Sequence, residues 1–196
     1  MRLGLYGGTF DPIHNAHLSV ARAAVQACQL DRLLVIPNRL PPHKQSATGA
    51  TYEQRLAMVT LACDDQPQLE ACDIENREGK SYTIQTLERL RIHYGAATEF
   101  FFLIGADAFA EVLTWFRVDE VFAMTDFIVA ARPGFTYQTP PGARVHPLNA
   151  LTFTESSSAI RAQIRSGLSP QGLPPSVDCY ITQQGLYQST TKAGVA

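Results

Sequence analysis

An α/β fold, an open, doubly wound parallel sheet with a small helical part at the C-terminal end, is predicted by three observations. Short apolar runs alternate with stretches of helical spacing from the first residues onward. The most apolar run, Phe100-Phe101-Phe102-Leu103-Ile104, shows no polar alternation, which is the profile of a central strand covered on both faces. Strand, helix and strand follow one another within residues 2–37, the span of a βαβ unit with parallel strands.

Taken in order, residues 2–6 read as a short apolar strand, and Gly7-Gly8 behind it lack the side chains that would keep a ligand from the backbone. From Asn15 onward, Leu18, Val20, Ala21, Ala24 and Val25 fall at helical spacing. Residues 31–37 are a second strand, and residues 38–50 a loop containing Pro, Gly and Ser. A helix over Tyr52–Cys63 is expected from Leu56, Val59 and Ala62, then a strand over 69–74. Ser81 and Thr83 are N-cap candidates for a helix over 84–94 with the stripe Ile84, Leu87, Leu90. The strand at 100–104 ends at Gly105; a short helix, Trp115-Phe116 and a strand over 127–131 follow. Helices near 158–166 and 176–183 close the fold, so residues 1–188 are expected to form one domain and 189–196 a loose tail.

Sixteen basic against eighteen acidic residues give a formal charge of −2, so no global electrostatic footprint for nucleic acid or an anionic membrane exists. Any anion site must come from local placement. Cys28, Cys63, Cys72 and Cys179 are scattered without metal-ligand spacing, which suits mostly buried free thiols in a reducing cytosol. No run approaches the ~18 apolar residues of a membrane span, so a soluble, cytoplasmic protein is expected. A homo-oligomer is left open.

The strongest motif is Gly7-Gly8-Thr9-Phe10-Asp11-Pro12-Ile13-His14-Asn15-Ala16-His17. It delivers a strand through a glycine turn into a helix N-terminus, whose unpaired N–H donors and partial positive charge form an anion site. His14 and His17 stand three apart, on one face of the first turn, where ring nitrogens can donate to phosphate oxygens. Two solvated histidines beside a tight turn are the plain alternative. Ser156-Ser157-Ser158-Ala159-Ile160-Arg161 offers hydroxyls, free N–H groups and a guanidinium at helical reach of one phosphate group, or ordinary helix capping. Lys44, after Pro41-Pro42-His43, can swing a point charge onto a polyphosphate. Asp107, two residues past Gly105, is either an N-cap or an acceptor for ribose hydroxyls. Trp115, the sole tryptophan, suits a core anchor or a stacking platform.

The first motif resembles the signature of the H-x-G-H nucleotidyltransferase superfamily, with Ala16 where glycine is usual. P-x-x-x-P-P-H-K over 37–44, G-x-D over 105–107 with the later tryptophan, and Ser157-Ser158-x-Ile160-Arg161 resemble bacterial nicotinate-nucleotide adenylyltransferases. Gly185-Leu186-Tyr187 is similar to that family's C-terminal helix region. The resemblance implies a Rossmann-like nucleotidyltransferase fold and adenylyl transfer from ATP to nicotinate mononucleotide, with Mg²⁺ carried by ATP. It implies ATP against Gly7, Gly8, Thr9, Phe10, His14, His17, Gly105, Asp107, Arg132, Ser157, Ser158 and Arg161, with the mononucleotide against Lys44, Tyr82, Thr83, Thr86 and Trp115. His14, His17, Lys44 and Arg161 then stabilise the reacting phosphates, and no carboxylate cluster offers a dedicated metal cage. Glu155, where the family commonly has an apolar residue, is expected to turn its charge away from the anion site. A phosphopantetheine adenylyltransferase-like enzyme and a non-catalytic nucleotide-binding regulator are the alternatives.

Overall fold

A computed structural model describes residues 1–39, 49–77, 79–131, 135–148 and 155–189. The apolar runs become β1 (Arg2–Gly8), β2 (Arg32–Pro37), β3 (Leu69–Ala71), β4 (Glu99–Gly105), β5 (Thr125–Ala130) and β6 (Val145–Leu148). They pair in parallel in the order β3-β2-β1-β4-β5-β6. The order reverses at β1, which lies between β2 and β4, and the crevice beyond the carboxyl ends of such strands is where open α/β sheets bind ligands.

Helices cover both faces. On one, α1 (Asn15–Ala27), α2 (Tyr52–Cys63) and α7 (Pro175–Gln183) bury Leu18, Met58, Val59 and Ile181 with Leu33, Val35, Phe101 and Ile128. On the other, α3 (Thr83–Tyr94), α4 (Ala106–Phe109) and α5 (Val118–Met124) bury Leu87, Phe109 and Phe122 with Leu5, Phe100, Phe102 and Phe127. Each such side chain contributes about 1.5–3 kcal/mol relative to exposure. α6 (Ser157–Arg165) buries only Ile160 and lies beside the β1–α1 turn.

α2 has the bounds expected from its spacing, because a capping box fixes its start: Thr51 Oγ1 accepts the Gln54 N–H at 3.2 Å and Gln54 Oε1 accepts the Thr51 N–H at 2.9 Å. The strand expected over 69–74 stops at Ala71; the Cys72 N–H still reaches Val35 O at 3.0 Å before a turn closes from Asn76 N to Asp73 O. Neither Ser81 nor Thr83 caps α3, whose N-cap is Tyr82 without a side-chain bond. α5 and β6 were not expected from the sequence. Ser189 Oγ donates to Arg165 O at 2.9 Å, and the rest of the expected tail, residues 190–196, lies outside the described residues. All four cysteines are free, but only Cys28 and Cys63 are buried; Cys72 is half-buried and Cys179 exposed. Among the described residues no helix is long and apolar enough to cross a membrane.

Candidate active site

β1 ends in a turn built around Phe10. A Cβ on Gly8 would sit 2.7 Å from the Phe10 ring, so the position accepts only glycine while that ring folds back over it. Phe10 holds φ at 48°, a left-handed conformation that costs a non-glycine residue about 1–3 kcal/mol. Burial offsets the cost: its ring is edge-on to Tyr6 at 5.3 Å and to His17 at 5.1 Å. Phe10, expected at the nucleotide, is therefore the buried floor of the turn. Thr9 follows the strand and its carbonyl accepts Arg55 Nη1 at 2.7 Å. A Cβ on Gly7 would lie in ordinary contact with Asn38 Oδ1 and a Phe102 ring atom, both at 3.5 Å.

The turn hands the chain to α1 with His14 at the N-cap. The His14 N–H donates to His17 Nδ1 at 3.3 Å, which puts the His17 proton on Nε2 and makes that nitrogen a donor. The two rings stack at 3.7 Å with 28° between planes. Burial lowers the His14 pKa to about 4, partly countered by Glu155, and burial together with His14 lowers His17 to about 3. Both imidazoles are neutral at pH 7. His14 Nδ1 is buried without a hydrogen-bond partner, so the tautomer of the neutral ring is free to answer to a ligand.

Neutral burial has a consequence for folding. Well above the ordinary histidine pKa of 6.5 neither histidine is charged in either state, so stability there does not respond to them. As pH falls from 6.5 towards 4, the unfolded chain binds protons that the folded chain refuses, and stability drops. Urea midpoints from pH 7 to 5 are expected to fall less steeply in a His14→Gln/His17→Gln double variant than in the parent; parallel slopes contradict the burial argument.

A cleft of about 300 Å³ opens beyond the carboxyl ends of β1, β4 and β5 and is lined by Tyr6, His14, Ala16, His17, Gly105, Glu155, Ser156 and Ser157 among others. Its volume suits a small-molecule ligand. Two helix N-termini, those of α1 and α6, meet in it with their positive dipole ends, although the Asn15 N–H at the start of α1 already donates to Gly172 O at 2.8 Å. Ser156, not Ser157 or Ser158, caps α6 by accepting the Ala159 N–H at 3.2 Å. Ser157 Oγ donates to Pro12 O at 2.9 Å, which ties α6 to the turn. Ser158 is exposed, with Arg161 Nη2 3.4 Å from its hydroxyl.

Several expected placements change. Arg161 reaches back to the turn, with Nη1 donating to Asp11 O at 2.6 Å, and it does not line the cleft. Glu155 does not turn away: it lines the cleft, packed so closely on Gly172 that a Cβ there would sit 2.4 Å from its Cγ. Asp107 is not an N-cap; Gly105 is, and Asp107 stands exposed in the first turn of α4. Lys44 and Arg132 lie outside the described residues. Among the described residues no group of three or more His, Cys, Asp or Glu stands where it could hold a metal ion.

The other face of the sheet carries the remaining candidates. Trp115 is half-buried, its indole edge-on to Phe102 at 5.6 Å and tilted to Phe127 at 6.3 Å. Phe116 lies 5.0 Å from Tyr82, which ties the Trp115 turn to the start of α3 and to Thr83. Thr86 is buried and donates its hydroxyl to the buried Glu75 carboxylate, so that oxygen already has its partner. Sequence reasoning missed Asp11 and Arg55, whose partners are distant in the chain. Asp11 lay inside the motif, and its carboxylate receives Gly49, Ala50 and Tyr187.

Comparison with known proteins gives the same arrangement a lineage. A family model described as cytidylyltransferase-like matches residues 5–163. A protein of Solibacter usitatus named probable nicotinate-nucleotide adenylyltransferase is 43% identical over 187 residues, 95% of this chain and 100% of the relative. One of the same name from Geobacillus kaustophilus is 40% identical over 192 residues, 97% of this chain and 88% of the relative. The solved structure of Plasmodium falciparum nicotinic acid mononucleotide adenylyltransferase complexed with NaAD matches with a TM-score of 0.78 at 20% identity, covering 95% of this chain and 97% of that one. At that identity the structural match speaks for the fold, and the parallel six-stranded sheet is shared ground for it. With identities of this size running along nearly its whole length, the chain belongs to the nicotinate-nucleotide adenylyltransferase family of cytidylyltransferase-like proteins.

Proposed function

We propose that the cleft transfers the adenylyl group of ATP to nicotinate mononucleotide, giving nicotinate adenine dinucleotide and pyrophosphate, a step in making NAD. The observation that carries this reading is the meeting of two helix N-termini with His14 and His17 in one cleft at the strand reversal, a geometry for polyphosphate. The names of the bacterial relatives support the choice of substrates.

A phosphate oxygen of the mononucleotide attacks the α-phosphorus of ATP in line, and the bond to the departing pyrophosphate breaks. No protein nucleophile is needed, because a phosphomonoester with a second pKa of about 6 is largely dianionic at neutral pH. The chain's work is alignment and charge stabilisation. His17 donates through Nε2–H and His14 through its own ring N–H, both as neutral imidazoles, to the triphosphate. The Gly7-Gly8 and Ser157-Ser158 backbones flank the phosphates, Lys44 adds positive charge, Arg161 adds its charge from behind the turn it holds at Asp11 O, and Gly105 and Asp107 take the ribose. Mg²⁺ would come with ATP, held by phosphate oxygens and water, and would lend positive charge to the phosphates; Glu155 is the carboxylate that lines the cleft beside them.

Trp115 stacks on the pyridine, with Tyr82, Thr83 and Thr86 beside it. Preference for the acid over the amide is supported by the N-terminus of α3, which no side chain caps and whose positive end favours a carboxylate. The four free thiols suit the reducing cytoplasm as the place of action.

Pyrophosphate release is measured with ATP and, in turn, nicotinate mononucleotide, nicotinamide mononucleotide and phosphopantetheine. Release is expected to be fastest with the first. Faster release with phosphopantetheine, or none with any acceptor, overturns the reading.

A further inference from the structure

We propose that Asp11 and Tyr187 are positioning residues for the triphosphate half of the reaction, holding Arg161 and the first turn of α6 against the turn at residues 7–11. The inference rests on the adenylyl-transfer reading for its kinetic consequences, but its structural basis is independent of the acceptor.

The Asp11 carboxylate is buried, at 6% exposure, where an unpartnered charge is costly. It is therefore surrounded by donors from three other parts of the chain. Gly49 N–H reaches Oδ2 at 2.8 Å, Ala50 N–H reaches Oδ1 at 3.1 Å, and the Tyr187 hydroxyl reaches Oδ1 at 2.8 Å. Arg161 Nη1 stands 3.8 Å from Oδ2. Arg55, itself buried, adds its charge from α2 while holding Thr9 O.

What makes this more than packing is the backbone that carries the carboxylate. The carbonyl of Asp11 accepts Arg161 Nη1 at 2.6 Å, and the carbonyl of Pro12 accepts Ser157 Oγ at 2.9 Å. α6 is thus hung on two consecutive carbonyls whose position the Asp11 side chain anchors. Two residues beyond Pro12 comes His14, so the same short segment sets the spacing between the α1 and α6 N-termini across the cleft.

Tyr187 closes the arrangement from the far end of the chain. α7 ends in a Schellman turn, with Leu186 N–H on Ile181 O at 3.0 Å, Gly185 N–H on Thr182 O at 3.2 Å and Gly185 at a φ of 60°. That turn delivers Tyr187, at a strained φ of 63°, onto Gly49, where a Cβ would lie 2.8 Å from the ring and 3.4 Å from Arg161 Cδ. Burial and the adjacent carboxylate raise the Tyr187 pKa above its ordinary value, so the hydroxyl stays a donor. Trp115 and α3 pack on the opposite face of the sheet, in a different hydrophobic cluster from Tyr187. The effect of losing the clamp is therefore confined to ATP.

The test compares Tyr187→Phe and Asp11→Asn with the parent by steady-state kinetics, each substrate varied in turn, and by calorimetric titration with ATP alone. Tyr187→Phe keeps the ring on Gly49 and removes one hydrogen bond to a charged group, so the KM for ATP and the calorimetric Kd are expected to rise roughly tenfold. The mononucleotide KM is expected to stay unchanged. Asp11→Asn, which turns a donor towards donors, is expected to lose more. Unchanged ATP affinity in folded Tyr187→Phe, or equal changes in both KM values, overturns the proposal. If Asp11→Asn fails to fold, Tyr187→Phe decides alone. If the parent binds ATP yet releases no pyrophosphate with any acceptor, the adenylyl-transfer reading fails, and the calorimetric comparison still decides this one.

Discussion

Replacing His17 with alanine is expected to lower turnover by roughly 10²- to 10³-fold while the fold is retained, the usual loss for one preorganised donor at a developing charge. The size of the effect follows from how firmly the donor is held. The His14 backbone N–H occupies Nδ1, so the tautomer is fixed before any substrate arrives. Phe10 at 5.1 Å, Tyr6 at 6.1 Å and the stacked His14 ring at 3.7 Å fix its plane. No reorganisation is then needed when charge builds on the phosphates. Because burial keeps the free enzyme's imidazole neutral down to about pH 3, loss of rate just below pH 6 is expected to follow the mononucleotide phosphate and not His17. Pyrophosphate release at saturating substrates, with circular dichroism to verify folding, measures the effect. Near-normal turnover of the variant removes His17 from the mechanism.

The sequence made legible those parts whose cause is local. α2 appears with its expected ends because spacing and a capping pair, Thr51 and Gln54, lie within one short stretch. β4 is unmistakable because both of its faces are buried and five apolar residues run together. His14, His17, Gly105 and Ser157 do converge on one cleft, since each sits at the end of a strand or the start of a helix in a parallel sheet. The rest depended on tertiary context. β6 contains His146 and Pro147 with no alternation, and as an edge strand that pairs only with β5 it tolerates the missing N–H. α5 has seven residues after Arg117 in a left-handed conformation, too short for a helical stripe to stand out. Asp11 lay in full view inside the motif, but its partners are 38, 39, 150 and 176 residues away, and no local pattern encodes such distances. Glu155 took an unexpected direction because Gly172, whose φ is 85°, leaves a place for its side chain beside the cleft.

Trp115→Ala is expected to raise the mononucleotide KM by about 10- to 100-fold, the range for losing an aromatic platform under a planar ring at roughly 1–3 kcal/mol. The KM for ATP is expected to change far less. The indole's place in the fold makes the comparison informative. It is half-buried, with edge contact to Phe102 and a tilted contact to Phe127, so part of its surface packs on the core and part is available to a ligand. Removing it therefore affects stability as well, and a lower melting temperature alone does not separate the two roles. A packing role acts on the folded fraction and lowers the rate at every concentration of either substrate. A stacking role raises one KM selectively, and Trp115→Phe, which keeps an aromatic face, restores much of the affinity. A lower rate with both KM values unchanged or equally shifted, or no recovery in Trp115→Phe, assigns the residue to the core beside Phe102 and leaves the pyridine to be held by the Tyr82 and Thr83 end of α3.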